Sequence, residues 1–370
     1  MTFPSLWKIK REVRRIGDQT NRLASNLYEI PVRANHSRWL IKIARPLPGK
    51  RSLGKKVAIF VLFQPKGVAA SVFLTCDHLI AQGYSIFILS NGPLSDSDRF
   101  ALIEKSSLLL VRPNFGYDFG AYQDGIYLLD RMGCKLNNLI VMNDSTWFPL
   151  RSNDTSIRRM EASIDAFTGH ILRNEPDIRR GQDHIESHLL MFKKNAFESA
   201  AFKYFWDNYK MSSNRIKTIL TGEKLVSAAM FDAGFFSKGL VSRAQFLDCL
   251  DNAPFDILKR ILTETSFRPV KINDNLAFFL SVAEDTPVWR KQVHDHCSKL
   301  LVHLSPIFST TFVYGTMTTL QLGFVKKSNE ECFHLTRKKV LELEASGEIP
   351  VIDPTVRAEI AASVSSWKRQ

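Results

Sequence analysis

No two cysteines stand at CxxC spacing in this 370-residue chain, and no apolar run is clean enough to span a bilayer. The five cysteines (Cys76, Cys134, Cys249, Cys297 and Cys332) are odd in number and widely spread, which suggests neither a zinc knuckle nor a redox motif. A reducing compartment fits them best. The opening MTFPSLWKIKREVRRIG lacks the continuous apolar centre of a secretion signal, so a cytoplasmic location is expected. Charge is missing from Leu300 to Val325, yet that segment holds His303, Pro306, Gly315, Gly323 and seven Ser or Thr. It is too polar for a spanning helix and reads as buried strand, loop and helix. Repeats and low-complexity tracts are also lacking.

Acidic residues are scarce at one end. Residues 1–56 carry 14 Lys or Arg against 3 Asp or Glu, so +11 of the chain's +13 lies there and +2 in all the rest. A nucleic-acid-binding domain carries its charge on the folded face that grips phosphate, and a nearly neutral body argues against one. The uneven charge points instead to an arm that attaches to an anionic membrane surface. Leu6, Trp7, Ile9, Val13, Ile16 and Leu23, set among Lys8, Lys10, Arg11, Arg14, Arg15 and Arg22, allow a basic amphipathic helix over residues 1–30. A linker with Pro46, Pro48, Gly49 and Gly54 follows.

The patterned part begins at Val57. VAIFVLF (57–63) is a continuous apolar run, as expected of a strand covered on both faces. A helix over 69–82, a strand over 84–90, a strand over 107–111, a helix over 117–132 and a strand over 139–142 follow. This alternation predicts βαβ units and a mainly parallel α/β sheet with helices on both faces. Beyond it, a strand over 189–192, a Phe- and Trp-rich helix over 196–209 and a helix over 223–233 are expected. The division predicted is a basic arm and linker (1–54), an α/β core (55–245) and a mixed or helical C-terminal region (246–370). In that last region only helical pieces at 255–262 and 337–343 are legible.

Ligands of open parallel sheets bind beyond the carboxyl ends of the strands. Three such ends are suggestive here: Gln64-Pro65-Lys66-Gly67, the run RPNFGYDFGAYQDG (112–125), and Asn143-Asp144-Ser145-Thr146. Gly116 permits a tight turn, and the helix after it offers free N–H groups to a diphosphate. Asp118 stands in that first turn, where it either meets the ligand or caps the helix. Asp144, following a buried strand, is placed to meet Mg²⁺ or Mn²⁺ on a nucleotide diphosphate. It is the one firm carboxylate in the motif, flanked by Asn143 and Ser145. His184 and His188 are four apart, but the local pattern is loop into strand, which does not suit a helical zinc pair.

Together, Asn114-Phe115-Gly116-Tyr117-Asp118-Phe119-Gly120-Ala121-Tyr122 and Asn143-Asp144-Ser145 resemble the paired NxGYDFGAY and NDS signatures of the rhamnan synthesis F family. The resemblance continues through Glu186–Phe192, Phe202–Trp206 and Gly222-Glu223, with a fainter echo in Gly323-Phe324-Val325-Lys326-Lys327. Trp147-Phe148-Pro149 departs from the family's aromatic-Gly-Pro, and residues 1–50 have no counterpart. The resemblance implies a GT-A-like, Rossmann-related core and an inverting bacterial glycosyltransferase. Its donor would be dTDP-L-rhamnose or a similar nucleotide sugar, and its acceptor a cell-surface polysaccharide or lipid-linked glycan at the inner face of the plasma membrane. Donor contacts would come from Arg112, Asn114, Gly116, Tyr117, Asp118, Asn143, Asp144 and Ser145, with Asp144 the metal ligand if a divalent cation is used. An inverting reaction needs one carboxylate base; Glu223, Glu186 and Asp183 are the candidates. A non-catalytic nucleotide-sugar binder is the alternative, and a basic nucleic-acid-binding protein a more distant one.

Overall fold

The computed structural model describes residues 28–174, 183–266, 276–303 and 308–368. Residues 1–27, most of the basic helix expected over 1–30, and residues 179–182 before the later strand lie outside the described residues.

Seven strands form the central sheet. They are β1 (Leu47–Pro48), β2 (Lys56–Leu62), β3 (Ser85–Ser90), β4 (Leu108–Val111), β5 (Asn138–Asn143), β7 (Phe167–Gly169) and β10 (Leu189–Lys193), in the order β1-β4-β3-β2-β5-β10-β7. β4, β3, β2 and β5 run parallel, β10 is antiparallel between β5 and β7, and β1 is antiparallel at the far edge. Two short ladders complete the strands. β8 (Ile171–Arg173) lies between β11 (Val241–Ser242) and β9 (His184–Ile185), while β6 (Thr146–Trp147) pairs with β12 (Val325–Lys326). This is the α/β architecture that the alternation predicts.

The apolar run of β2 is buried on both faces because consecutive side chains point to opposite sides. Ala58, Phe60 and Leu62 enter one core with α2 (Ala70–Ala81) and the C-terminal helices, as far as Ile360. Val57, Ile59 and Val61 enter the other, with α4 (Tyr117–Arg131) and α5 (Ala200–Asn208). A helix absent from the sequence reading, α3 (Asp96–Lys105), is mostly polar and hides one buried side chain, Leu102; the Ser95 hydroxyl caps it by accepting from Asp98 N at 3.1 Å.

Two expectations need correction. Residues 28–54 are not a free arm and linker. A helix, α1, covers 28–42, with Leu40 and Ala44 in the core, and β1 pairs with β4 at the sheet edge. The predicted helix over 223–233 starts earlier: α6 (Arg215–Thr218) runs through a π-helical turn (Ile219–Lys224) into α7 (Leu225–Asp232). Among the described residues no helix is long and apolar enough to cross a membrane.

Candidate active site

The strand order reverses at β2. The chain passes from β2 to β3 and β4 on one side, then returns to β5 on the other. A crevice at such a switch point is where doubly wound sheets place ligands, and the predicted polar residues collect there.

One wall is built from the tips of β2 and β5 and the start of α4. Asp144 N donates to Val61 O at 3.1 Å, closing the end of β2 onto β5. The Asp144 carboxylate accepts from Phe63 N at 2.9 Å and from Gln64 Nε2 at 2.6 Å. Asn143 Nδ2 donates to Asp118 Oδ2 at 2.7 Å, and its Oδ1 accepts from Ser145 N at 3.0 Å. Asp118 therefore does not cap its helix. Gly116 begins the helix with φ +82°, where a side chain is strained, and an added Cβ would meet Gly120 and Met211 at 3.0 Å. Tyr117 also has positive φ, and its hydroxyl donates to Ser213 O at 2.9 Å.

The other wall carries Glu186, Ser187 and His188 before β10, Glu223 in the π turn, and Lys326 on β12. Lys326 Nζ lies 2.7 Å from Glu186 Oε2. Glu223 Oε2 accepts from Ser187 N at 2.9 Å, and Glu223 Oε1 faces His184 Nε2 at 3.4 Å. Gly222 allows this placement, because an added Cβ would stand 2.6 Å from the Phe119 ring. Single π turns recur where a helix must aim one side chain into a site. His188 Nε2 is 3.1 Å from His170 Nδ1, and its Nδ1 is 3.6 Å from Glu186. A proton on His188 Nδ1 would face the Glu186 carboxylate, and in that tautomer His170 Nδ1–H donates to His188 Nε2.

Tyr117, Asp118, Asn143, Ser145, Glu186, His188, Glu223, Arg173, Arg215 and Lys326 together line a cavity of about 400 Å³. Proton affinities differ sharply across it. Burial, then repulsion from Asp144, pushes Asp118 up to about 7 despite the hydrogen bond from Asn143. Burial acts the same way on Glu186, but the Lys326 ammonium and His188 reverse it and hold that carboxyl well below the usual range. Glu223 is likewise lowered against its own burial, by His184 and Ser187.

Several predicted residues stand outside this cavity, Asp144 and Gly116 among them. Arg112 is fully buried: its Nε donates to Asp124 at 2.7 Å and its Nη2 to Phe115 O at 2.8 Å, so it holds the loop instead of reaching into this cavity. Asn114 and Arg112 both line a neighbouring cavity of about 550 Å³, beside Trp39, Phe63, Asn91 and Pro93. Asp183 is exposed, accepts from Asn174 Nδ2 at 2.9 Å and does not line the cleft. His184 and His188 turn to different partners, Glu223 and His170. The sequence left Lys326, Arg173 and Arg215 without a role, although all three line the cleft; of these only Lys326 lay in a motif. Its signal was the Gly323–Lys327 echo, which β12 brings against β6 directly after the NDS motif.

Among the described residues no three His, Cys, Asp or Glu side chains converge to hold a metal. A cation held mainly by diphosphate oxygens and water needs only one or two carboxylates. Asp144, at the switch point, fits that part.

The match to known proteins falls on this same cleft. Residues 86–256 match the rhamnan synthesis protein F family. That span holds NxGYDFGAY, NDS, Glu186 and Glu223, and it supports the glycosyltransferase class that these motifs imply. Uncharacterized protein y4gN of Sinorhizobium fredii is 26% identical over 376 residues, spanning 98% of this chain and 92% of its own length. Two solved structures are more distant. A glycosyltransferase involved in glycosylation of the major capsid of PBCV-1 is 13% identical, over 41% of this chain and 66% of that one, with a TM-score of 0.26. The mannosyltransferase PcManGT from Pyrobaculum calidifontis, in complex with GDP-Man and Mn²⁺, is 10% identical over 95% and 90%, with a TM-score of 0.27. Scores this low do not equate the folds.

Proposed function

We propose that the chain is an inverting glycosyltransferase that moves L-rhamnose, or a related deoxysugar, from a nucleoside-diphosphate donor such as dTDP-L-rhamnose. The acceptor would be a hydroxyl of a bacterial surface polysaccharide or lipid-linked glycan at the inner face of the plasma membrane. The observation that carries this reading is the gathering of Asp118, Glu186, Glu223 and Lys326 in one cleft over the switch point.

The nucleoside would occupy the cavity beside Trp39 and Phe63, its diphosphate would pass Asp144, and the sugar would enter the cleft. A divalent cation, if used, would sit on Asp144 and supply charge neutralisation to the departing diphosphate. Lys326 and Arg215, which also line the cleft, add positive charge. A general base works best with a proton affinity near the working pH. Glu186, tied to Lys326, and Glu223, tied to His184 and Ser187, are both too acidic. Asp118, which lines the same cleft, has the affinity required while no cation sits on Asp144, so we assign it the acceptor proton in place of Glu223, Glu186 or Asp183.

The test is transfer from dTDP-L-rhamnose to a rhamnan oligosaccharide by the purified chain, with and without Mn²⁺. Loss of transfer in Asp144→Ala, with folding kept, is expected; full activity in that variant would remove Asp144 from the donor site. The ready-made partners of both glutamates favour a second reading, a binder without turnover. It predicts a raised melting temperature with the nucleotide sugar but no product from any acceptor.

A further inference from the structure

Every exposed charge between residues 28 and 55 is positive: Arg38, Lys42, Arg45, Lys50, Arg51 and Lys55. The one acid in that stretch, Glu29, is buried. Its Oε1 accepts from Ser212 Oγ and Ser213 N, each at 2.8 Å, and Lys217 Nζ lies 3.3 Å from Oε2. His36 is buried too, 2.9 Å from Asp124. At 100° per residue, Glu29, His36 and Leu40 fall within an arc of about 40° that faces the body. Ile30, Arg38, Ile41 and Lys42 occupy the opposite side of α1.

That outer side is apolar as well as basic. Ile30 is 56% exposed, Ile41 50% and Ile43, just past the helix, 67%. Arg131 Nη1 donates to Ile41 O at 3.0 Å and brings the end of α4, with half-exposed Met132, alongside. Cations alone would suit any polyanion. Exposed isoleucines between them suit a surface that offers both negative headgroups and a hydrocarbon edge.

We propose that the outer face of α1 is a docking surface for an anionic lipid bilayer. This deepens the membrane contact in the functional reading by moving it from a trailing arm onto the folded body. Because Glu29 and His36 fix α1 to the cleft's own scaffold, docking would set the orientation of the cleft over the bilayer. The inference does not depend on which sugar is transferred.

The test is flotation of the full chain with vesicles of phosphatidylcholine, with and without phosphatidylglycerol, in low and high salt. No nucleotide sugar is present, so its failure is separate from failure of the transfer assay. Binding only to phosphatidylglycerol vesicles, weakened by salt, is expected. Ile41→Asp with Ile43→Asp should lower the bound fraction about tenfold or more with an unchanged melting curve. Arg38→Ser with Lys42→Ser, at positions equally open to solvent, should lower it as well. Residues 1–27 stay intact in all variants, so wild-type binding in both would overturn the proposal. Equal binding to phosphatidylcholine alone, or wild-type-strength binding to duplex DNA in its place, would overturn it also.

Discussion

The two walls of the cleft solve the same electrostatic problem in opposite ways. On the β10 side, burial of Glu186 and Glu223 is answered by Lys326, His184 and Ser187, and both carboxyls stay ionised. On the β5 side, Asp118 has Asn143 as its hydrogen-bond donor and Asp144 as a like-charged neighbour, and it holds its proton up to about pH 7. Side chains of nearly the same chemistry thus become fixed anions on one wall and a proton acceptor on the other. Partners, not residue type, decide which.

Removing the odd carboxyl tests this contrast most severely. Asp118→Asn should cut transfer by roughly 10²- to 10⁴-fold, measured as kcat/KM. In the wild type without added divalent cation, kcat/KM should climb with pH and level off above about 7. Stability should move the other way. The folded state binds the Asp118 proton more tightly than the unfolded chain, so its contribution to stability falls as pH rises from about 4 to about 7. Asp118→Asn should therefore melt higher than wild type at pH 8, by at most about 4 kcal/mol in stability. A lower melting point there would refute the raised proton affinity.

Next in size is Lys326→Met. It strands a buried carboxylate, at a cost of about 3–5 kcal/mol read by urea unfolding at pH 7.5. Glu186→Gln in the same chain should restore much of it. The sign with pH is opposite to that of Asp118: a lowered carboxyl stabilises the fold above its unfolded value, and this is lost as pH falls below about 4. An unchanged unfolding midpoint in Lys326→Met would show that the pair is not closed in solution.

A smaller change sharpens the geometry. Gly222→Ala puts a methyl into the Phe119 ring and should cost about 1–3 kcal/mol, with transfer reduced because the π turn that aims Glu223 must shift. The mildest is His170→Phe, which removes the hydrogen-bond partner of His188 Nε2. A loss of about 1 kcal/mol is expected, with KM raised more than kcat is lowered; kinetics indistinguishable from wild type would detach the histidine pair from the cleft.

Much of the sheet could be read in advance because β2, β3 and β5 are buried on both faces and leave unbroken apolar runs. The NxGYDFGAY and NDS segments were legible as ligand-facing since polar residues interrupt those runs at the carboxyl ends. Glu223 was put at a helix start because Gly222 normally breaks a helix; here it lies inside one, where the Phe119 ring leaves no room for a side chain. The docking of α1 leaves little apolar signal in the sequence, because its inner face is held by Glu29 and His36, polar residues that no apolar periodicity marks. Lys326 was hidden by distance alone: it meets Glu186 across 140 residues of chain, and no local pattern encodes such a pair.

The β6–β12 ladder also sets an order of assembly. As the chain leaves the ribosome, the whole rhamnan synthesis F span emerges while the cation destined for Glu186 has yet to be made. A nascent chain ending before residue 325 would hold a naked buried anion, so this wall should mature only after the distant β12 strand is delivered and zipped against Thr146 and Trp147.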